Sequence, residues 1–200
     1  MTGRPARVAA LEARIAERFG QRHCVLVGSG TAALYVIFAS LAQQSRRSRV
    51  VYPEITCETA VNASIFAGFE PVFIDIDPAD GNMRGRAPAH VPAGDIAAVV
   101  PTHIYGHLMD VASLDSFFEA DIPRIEDAAQ GYGGTLHGRA AGTMGNAAII
   151  SFGEGKLIDC GSGGAVLTDD GDVAEACMDA ARRLPRERAE GEADRGAVMR

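Results

Sequence analysis

The stretch HCVLVGSGTAALYVIFASLAQQ, residues 23–44, decides how this chain folds. It begins with a short apolar run, turns at Gly28-Ser29-Gly30 and continues into a segment that is apolar on most sides. The first run is typical of a buried strand over 23–27, and the second predicts a buried helix over 31–44. A glycine-rich turn before a helix leaves backbone N–H groups where the helix dipole favours a phosphate. Such a turn also needs small residues for purely structural reasons, so both interpretations stay open.

The same alternation of strands and helices continues outward from this stretch. Helices are predicted at 8–19, 58–67, 113–120 and 172–184, and strands at 49–52, 71–76, 96–100, 122–126, 147–152 and 164–168. The pattern favours an α/β fold with a mostly parallel, three-layer arrangement that has helices on both faces of the sheet. We expect an N-terminal helix at 1–20, a large domain at 21–184 and a polar tail or linker at 185–200.

The composition excludes several classes of protein. The chain has 200 residues, of which 47% are hydrophobic and 22% charged, so it is neither disordered nor collagen-like. A net charge of -7 with 6% aromatic residues makes a nucleic-acid partner a poor expectation. We find no signal-peptide pattern and no apolar run long enough to span a bilayer, and therefore expect no membrane partner. The four cysteines form no C-x-x-C pair, which favours a reducing compartment, and we expect a cytoplasmic protein.

Lysine is nearly absent from this chain. Lys and Arg together number 19, and Lys156 is the one lysine among them. It lies in SFGEGK, residues 151–156, a glycine-flanked loop after a predicted buried strand. A lysine amine forms Schiff bases and arginine does not, although a solvated loop lysine is the alternative. A phosphate-binding Walker motif does not fit, because Ile150 stands at its first glycine and Leu157 follows the lysine.

A carboxylate follows the strand predicted at 122–126. Asp127 precedes Ala128 and Ala129, an apolar setting that is costly for a charge without a cationic partner. A protonated pyridine nitrogen would be such a partner, and an Asp that caps a turn is the alternative. A phosphate-suited turn, a carboxylate and a unique lysine at strand ends are the three groups that pyridoxal 5'-phosphate requires.

A metal site is not expected. His103 and His107 lie four residues apart, which on a helix would place them together, but Tyr105-Gly106 between them indicates a loop. The sequence offers no third ligand at a suitable spacing.

Several motifs, in their order and spacing, resemble the nucleotide-sugar aminotransferases of the DegT/StrS family. The similarity runs from about Phe19 to Asp170. The motifs that carry it are SGTAAL at 29–34, FEPVFIDID at 69–77, PTHIYG at 101–106, EDAAQ at 126–130, and Ser151-Phe152 with Lys156 and Gly163-Gly164. The resemblance implies the large domain of an aspartate-aminotransferase-like fold. Family chains are roughly twice as long, so the small C-terminal domain is expected to be absent here.

The resemblance also implies roles for the matching residues. Lys156 would hold the cofactor covalently and shuttle a proton between substrate and cofactor, and Asp127 would pair with the pyridine nitrogen. The other implied cofactor contacts are Gln130 on the phenolic oxygen, Gly30, Thr31 and Ser151 on the phosphate, and Cys57 where many members stack an aromatic residue.

The implied activity is transamination from an amino donor such as glutamate to a keto-sugar nucleotide. Lys156 favours this over the related sugar dehydratases, some of which carry histidine at the equivalent place. The family resemblance also implies a homodimer. Three alternatives remain: a truncated remnant without activity, one half of a split enzyme whose small domain is a separate chain, and a nicotinamide-dependent Rossmann enzyme. The last fits only the first glycine-rich turn.

Overall fold

A computed structural model describes residues 5–185 of the chain. Its first helix, α1 (Ala6–Phe19), ends at Gly20, whose φ of 66° is the left-handed conformation that glycine adopts without strain. The opening helix is therefore as predicted. None of the helices within these residues is long and apolar enough to cross a membrane. Apart from Pro185, the tail predicted at 185–200 lies outside the described residues.

The remaining elements alternate along the chain as the sequence predicts. The other helices are α2 (Gly30–Gln44), α3 (Glu58–Phe66) and α4 (Gly171–Arg183). The strands are β1 (His23–Val27), β2 (Arg49–Pro53), β3 (Glu70–Ile74), β4 (Ile96–Val99), β5 (Ile125–Asp127), β6 (Thr135–Leu136), β7 (Arg139–Ala140), β8 (Ala147–Ser151) and β9 (Gly164–Thr168). The short β6–β7 hairpin was not expected from the sequence.

Seven of these strands lie side by side in the order β3-β2-β4-β5-β8-β9-β1. Single parallel bridges, Val99 with Arg124 and Thr102 with Asp127, join β4 to β5. Strand β9 runs antiparallel to both of its neighbours, and the other strands of this sheet share one direction. The loops that follow β1, β2, β4, β5 and β8 consequently open at the same edge of the sheet, where α/β proteins bind their ligands.

Both faces of the sheet are covered, as the uninterrupted apolar strands predict. Helices α2, α3 and α4 lie on one face, where side chains such as Ile149 and Val166 pack. Helix α1 lies on the other face and packs Phe19 against Ile150 and Leu167. A 3₁₀ helix, Val111–Ser116, contributes to the cover of that face over β2 to β4. The predicted fold class is thereby confirmed.

Most elements differ from their predicted bounds by no more than one or two residues at an end, and two elements differ by more. Strand β5 begins three residues later than expected and includes Asp127. The carbonyl of Ile122, where the predicted strand began, accepts a hydrogen bond from the Arg124 guanidinium instead of from a neighbouring strand. The helix predicted at 113–120 is the 3₁₀ helix at 111–116, which begins where the Asp110 carboxylate accepts the Ala112 N–H at 3.2 Å.

Candidate functional site

The first turn of α2 meets the end of β8 at the open edge of the sheet. Ser29 caps the helix by accepting the Ala32 N–H on its Oγ at 3.0 Å. A Cβ atom on Gly30 would lie 3.0 Å from Ser151 Cβ and 3.2 Å from Ser151 Oγ. A Cβ atom on Gly164 would lie 2.3 Å from the Ser29 carbonyl oxygen. Close packing therefore requires glycine at Gly30 in the turn and at Gly164 in the facing strand β9, and the turn places a helix N-terminus beside a hydroxyl group, an arrangement that suits an anion.

Asp127 lies at the end of β5, only 5% exposed. Its N–H donates to the Pro101 carbonyl at 2.8 Å, and its Oδ1 accepts the Ala129 N–H at 3.0 Å. Burial raises the pKa of this carboxyl above its usual range, although the Ala129 N–H and the nearby charge of Lys156 act in the opposite direction. A carboxylate that burial destabilises in this way favours a further cationic partner.

Lys156 lies in the loop that follows β8. Its N–H donates to the Gly153 carbonyl at 3.2 Å, and its side chain is half-buried. The exposed Asp159 carboxylate accepts the N–H groups of Gly155 at 2.9 Å and Gly161 at 2.8 Å, and these two bonds lower the pKa of Asp159. Asp159 thus clamps both sides of the turn that carries the lysine.

A cleft of about 380 Å³ brings three of the seven predicted site residues together, Gln130, Ser151 and Lys156. Gln130 lies on one wall, and its Oε1 accepts the Tyr105 N–H at 2.9 Å. Lys156 lies on another wall with Ser151 at the base of its loop. The lining residues are Tyr105, Ala129, Gln130, Tyr132, Ser151, Gly155, Lys156 and Leu157.

The other four predicted residues do not line this cleft: Gly30 lies beside Ser151, Asp127 is buried at the end of β5, and Thr31 and Cys57 lie further away. Thr31 lines a neighbouring cleft of about 850 Å³ together with Ser29 and residues of α2, α3 and α4. Cys57 precedes α3 and is exposed, with its Sγ 3.1 Å from Thr59 Oγ1. Beside it, Thr56 Oγ1 is buried without a hydrogen-bond partner among the described residues. The structure thus brings Lys156, Gln130 and Ser151 to one cleft, and leaves Gly30, Thr31, Cys57 and Asp127 outside its lining.

Tyr105 has a place in the cleft that the sequence did not predict. Its φ of 52° is unusual for a bulky residue, and 77% of it is exposed. The adjoining Gly106 was the only local sign of a sharp turn. His103 and His107 flank this turn, a short 3₁₀ segment rather than a helix, and both ring nitrogens of His103 bond within the protein.

The donor set fits one kind of bound group. The buried carboxylate suits a cationic ring nitrogen, the half-buried amine suits a carbonyl carbon, and the helix N-terminus with its hydroxyl suits a phosphate. The fold and the site together define a class: an α/β domain whose site can hold a phosphorylated aldehyde between a lysine and an aspartate.

The chain belongs to the DegT/DnrJ/EryC1/StrS aminotransferase family, which it matches over residues 2–191. It is 34% identical over 167 residues to the dTDP-3-amino-3,4,6-trideoxy-alpha-D-glucose transaminase of Micromonospora megalomicea, covering 82% of this chain and 44% of that protein. It is 30% identical over 177 residues to the UDP-2-acetamido-2-deoxy-3-oxo-D-glucuronate aminotransferase of Pseudomonas aeruginosa, covering 88% and 49% of the two chains.

A solved structure shares the fold. PseC of Helicobacter pylori, an aminotransferase involved in the biosynthesis of pseudoaminic acid, superimposes with a TM-score of 0.79 at 25% sequence identity. The match covers 96% of this chain and 52% of that one. The chain thus spans about half the length of the relatives that it matches.

Proposed function

We propose that this chain forms the cofactor-binding half of a pyridoxal 5'-phosphate-dependent aminotransferase that delivers an amino group to a keto-sugar nucleotide. The observation that carries the proposal is that the unique lysine, Lys156, in the loop after β8, lies near enough to the buried Asp127 at the end of the adjacent strand β5 for its charge to lower the pKa of that carboxyl. Family membership and the names of two relatives, both sugar aminotransferases, support the substrate class.

Lys156 and Asp127 divide the chemistry in this proposal. When bound, pyridoxal phosphate supplies an aldehyde that takes up the amino group and a ring that withdraws electrons from the substrate carbon. The Lys156 amine would hold the cofactor covalently and, when free, would move a proton between the substrate Cα and C4' of the cofactor. The Asp127 carboxylate keeps the ring nitrogen protonated, and the ring in turn supplies the cation that this buried carboxylate favours.

Gln130 orients the ring in this proposal. Because the Tyr105 N–H is a donor, it selects the Oε1 atom of Gln130 as its partner. The Nε2 group of Gln130 is then left to donate to the phenolic oxygen of the cofactor. Tyr105 accordingly acts through Gln130 and fixes which end of the amide faces the cleft.

The phosphate binds, in this proposal, where α2 meets β8. The Ser151 hydroxyl accepts the Gly153 N–H at a long 3.4 Å, so its own hydrogen is available to an anion. The N–H groups of the first turn at Gly30 and Thr31, with the Thr31 hydroxyl, supply the remaining donors. Cys57 closes the site from the side of α3, where its thiol makes a smaller contact than an aromatic ring would.

The reaction needs no outside oxidant or reductant. An amino donor such as glutamate would give up its amino group and become its keto acid. The keto-sugar nucleotide would accept that amino group and become an amino sugar, so that the two half-reactions balance.

A homodimer and a cytoplasmic location complete the proposal. Tyr105 and Leu157, each 77% exposed, stand at the rim of the cleft, where a second subunit would cover them. Cys57, Cys160 and Cys177 are thiols rather than disulfides, which suits a reducing compartment. Sedimentation of the purified chain with and without cofactor tests the dimer, and a monomer under both conditions contradicts it.

Borohydride trapping tests the cofactor site directly. The purified chain is mixed with pyridoxal phosphate, reduced and digested, and mass spectrometry locates the pyridoxyl group. We expect it on Lys156, because the N-terminal amine is the only other primary amine in a chain with a single lysine. Lys156→Arg is the matched control and should remove the visible absorbance band of the bound cofactor; an unlabelled Lys156 in the wild-type chain overturns the proposal.

A second experiment tests whether the chain, once loaded with cofactor, reacts with an amino donor. Addition of glutamate to the loaded chain should bleach the visible band and release the keto acid. A loaded chain that ignores glutamate contradicts turnover by these 200 residues and favours the remnant or the split enzyme. Recovery of turnover on adding a separately expressed small domain distinguishes between those two.

A further inference from the structure

The carboxylate next to Asp127 points away from the cleft into the protein. Glu126 is fully buried, at 0% exposure, and both of its oxygen atoms accept hydrogen bonds. No role was predicted for it from the sequence. Its donors are His103 Nε2 at 2.8 Å and the Gly142 N–H at 2.5 Å on Oε1, and the Met144 N–H at 2.6 Å and the Gly145 N–H at 3.1 Å on Oε2.

His103 connects this carboxylate to the loop that carries Tyr105. Its Nδ1 accepts the Met109 N–H at 3.1 Å, so the ring hydrogen must be on Nε2, where it is donated to Glu126. The imidazole is itself fully buried. One tautomer, one ring orientation and one loop position are therefore fixed together.

His103 also contacts the segment that holds Asp127 and Gln130. Its backbone N–H donates to the Asp127 carbonyl at 3.1 Å. A Cβ atom on Gly131 would lie 2.7 Å from His103 Cδ2, so the backbone beside Gln130 rests directly on the ring. Two residues further along, the Tyr105 N–H holds Gln130 Oε1. A shift of the His103 ring would thus move Gln130 from both sides.

We propose that Glu126 is a positioning residue which, through the His103 ring, fixes Gln130 and Asp127 in the geometry that the cofactor ring requires. This inference rests on the proposed function. Glu126 does not touch the cleft itself; it sets the place of the groups that do. A purely structural role is the competing interpretation, since the same carboxylate also anchors the backbone at 142–145.

The variant Glu126→Gln preserves size and removes the second acceptor oxygen. Its NH₂ group would face N–H donors on whichever side it points, so at least one pair of bonds is lost. The control is Thr168→Val, also nearly isosteric and also buried, which removes a bond to the Asn146 carbonyl and one from the Asp170 N–H. Thr168 pairs with His23 at the opposite edge of the sheet, so both variants lose stability but only one is next to the site.

A pair of His103 variants keeps the test valid if Glu126→Gln fails to fold. The Gln side chain in His103→Gln places a donor near the Nε2 position and retains the bond to Glu126. The Asn side chain in His103→Asn places an acceptor near the Nδ1 position and retains only the Met109 bond. The proposal therefore requires that the first variant keeps cofactor affinity close to that of the wild type and that the second does not.

Two measurements decide the question. In the cofactor-free chain labelled with ¹⁵N-histidine, NMR should show His103 as the neutral Nε2–H tautomer; the opposite tautomer overturns the contact and with it the inference. Titration with pyridoxal phosphate should then show about tenfold weaker binding and a displaced visible band for Glu126→Gln and His103→Asn. His103→Gln and Thr168→Val should retain the affinity and the band of the wild type.

The other outcomes are equally definite. If Glu126→Gln binds the cofactor as Thr168→Val does, or if His103→Gln and His103→Asn behave alike, Glu126 is only structural and the inference is wrong. If the wild-type chain shows the Nε2–H tautomer but binds no cofactor, the proposed function is wrong, and the inference, which rests on it, is wrong as well. The tautomer would then show that the contact between His103 and Glu126 is present, and the titration that the cofactor site is not.

Discussion

Gly30 in the first turn of α2 and Ser151 at the end of β8 are so close that a Cβ atom on Gly30 would come within 3.0 Å of Ser151 Cβ. We expect Gly30→Ala to weaken the binding of pyridoxal phosphate about tenfold, because the added methyl group pushes the Ser151 hydroxyl away from the anion site. Titration followed by visible absorbance measures the change.

Gly28→Ala is the control for this effect. It lies two residues earlier in the same turn, and a Cβ atom there would meet nothing within 4 Å. Equal losses in the two variants would mean that chain stiffness in the turn, rather than space beside Ser151, determines cofactor affinity.

Asp127→Asn should stabilise the cofactor-free chain at neutral pH. Burial raises the pKa of this carboxyl above its unfolded value, so the folded chain binds the proton more tightly, and stability falls as pH rises between the two values. The asparagine carries no charge and can still accept the Ala129 N–H. The melting temperature of Asp127→Asn should therefore exceed that of the wild-type chain at pH 7. The two melting temperatures should converge once the pH falls below the ordinary pKa range of a carboxyl group.

Added cofactor should reverse that order. With pyridoxal phosphate in excess, the wild-type chain gains more stability than Asp127→Asn, because only the carboxylate can pair with the cationic ring. A variant that gains as much as the wild type would show that Asp127 does not meet the ring nitrogen.

Asp159→Asn should slow the covalent attachment of the cofactor to Lys156 about threefold, because one carboxylate clamps both sides of the lysine turn. Its lowered pKa means that the charged form, and the clamp, are present at neutral pH and are lost as pH falls through that lowered value. The rate of appearance of the visible band at several pH values measures this. Glu154→Gln, an exposed carboxylate in the same loop, should attach cofactor at the wild-type rate.

Thiol labelling tests the predicted place of Cys57. Burial raises the pKa of Cys177 to about 11, so this thiol should stay unlabelled at pH 8 until the chain unfolds. Cys57 and Cys160 are exposed and should react. Bound cofactor should protect Cys57 alone, since Cys160 lines a separate groove beside α1; labelling of Cys57 that is unchanged by cofactor argues against its contact with the ring.

Much of the fold can be predicted from local sequence patterns. The apolar run at 23–27, the glycine turn and the helix after it depend on neighbouring residues, and the structure reproduces them. Lys156 is conspicuous for its rarity, and Asp127 for its apolar surroundings. These signals need no knowledge of which strands pair.

The parts that escaped prediction depend on contacts between distant segments. Glu126 and His103 are separated by 23 positions and meet only because β4 and β5 are adjacent. The left-handed conformation of Tyr105 is imposed by its neighbours and is not a preference of tyrosine. The direction of β9 is likewise invisible, since parallel and antiparallel buried strands have the same apolar composition.

The pairing of β1 with β9 also determines when the site can form during synthesis. These strands come from near the two ends of the described chain, yet they lie side by side. The bridge between Ser29 and Gly163 continues their contact into the glycine-rich turn before α2. A nascent chain that has not yet released β9 leaves the apolar surface of α2 uncovered. The loop that carries Lys156 and the glycine-rich turn before α2 are therefore joined through β9, which pairs with β8 on one side and with β1 on the other, so a chain that stops before residue 164 lacks the strand that connects them.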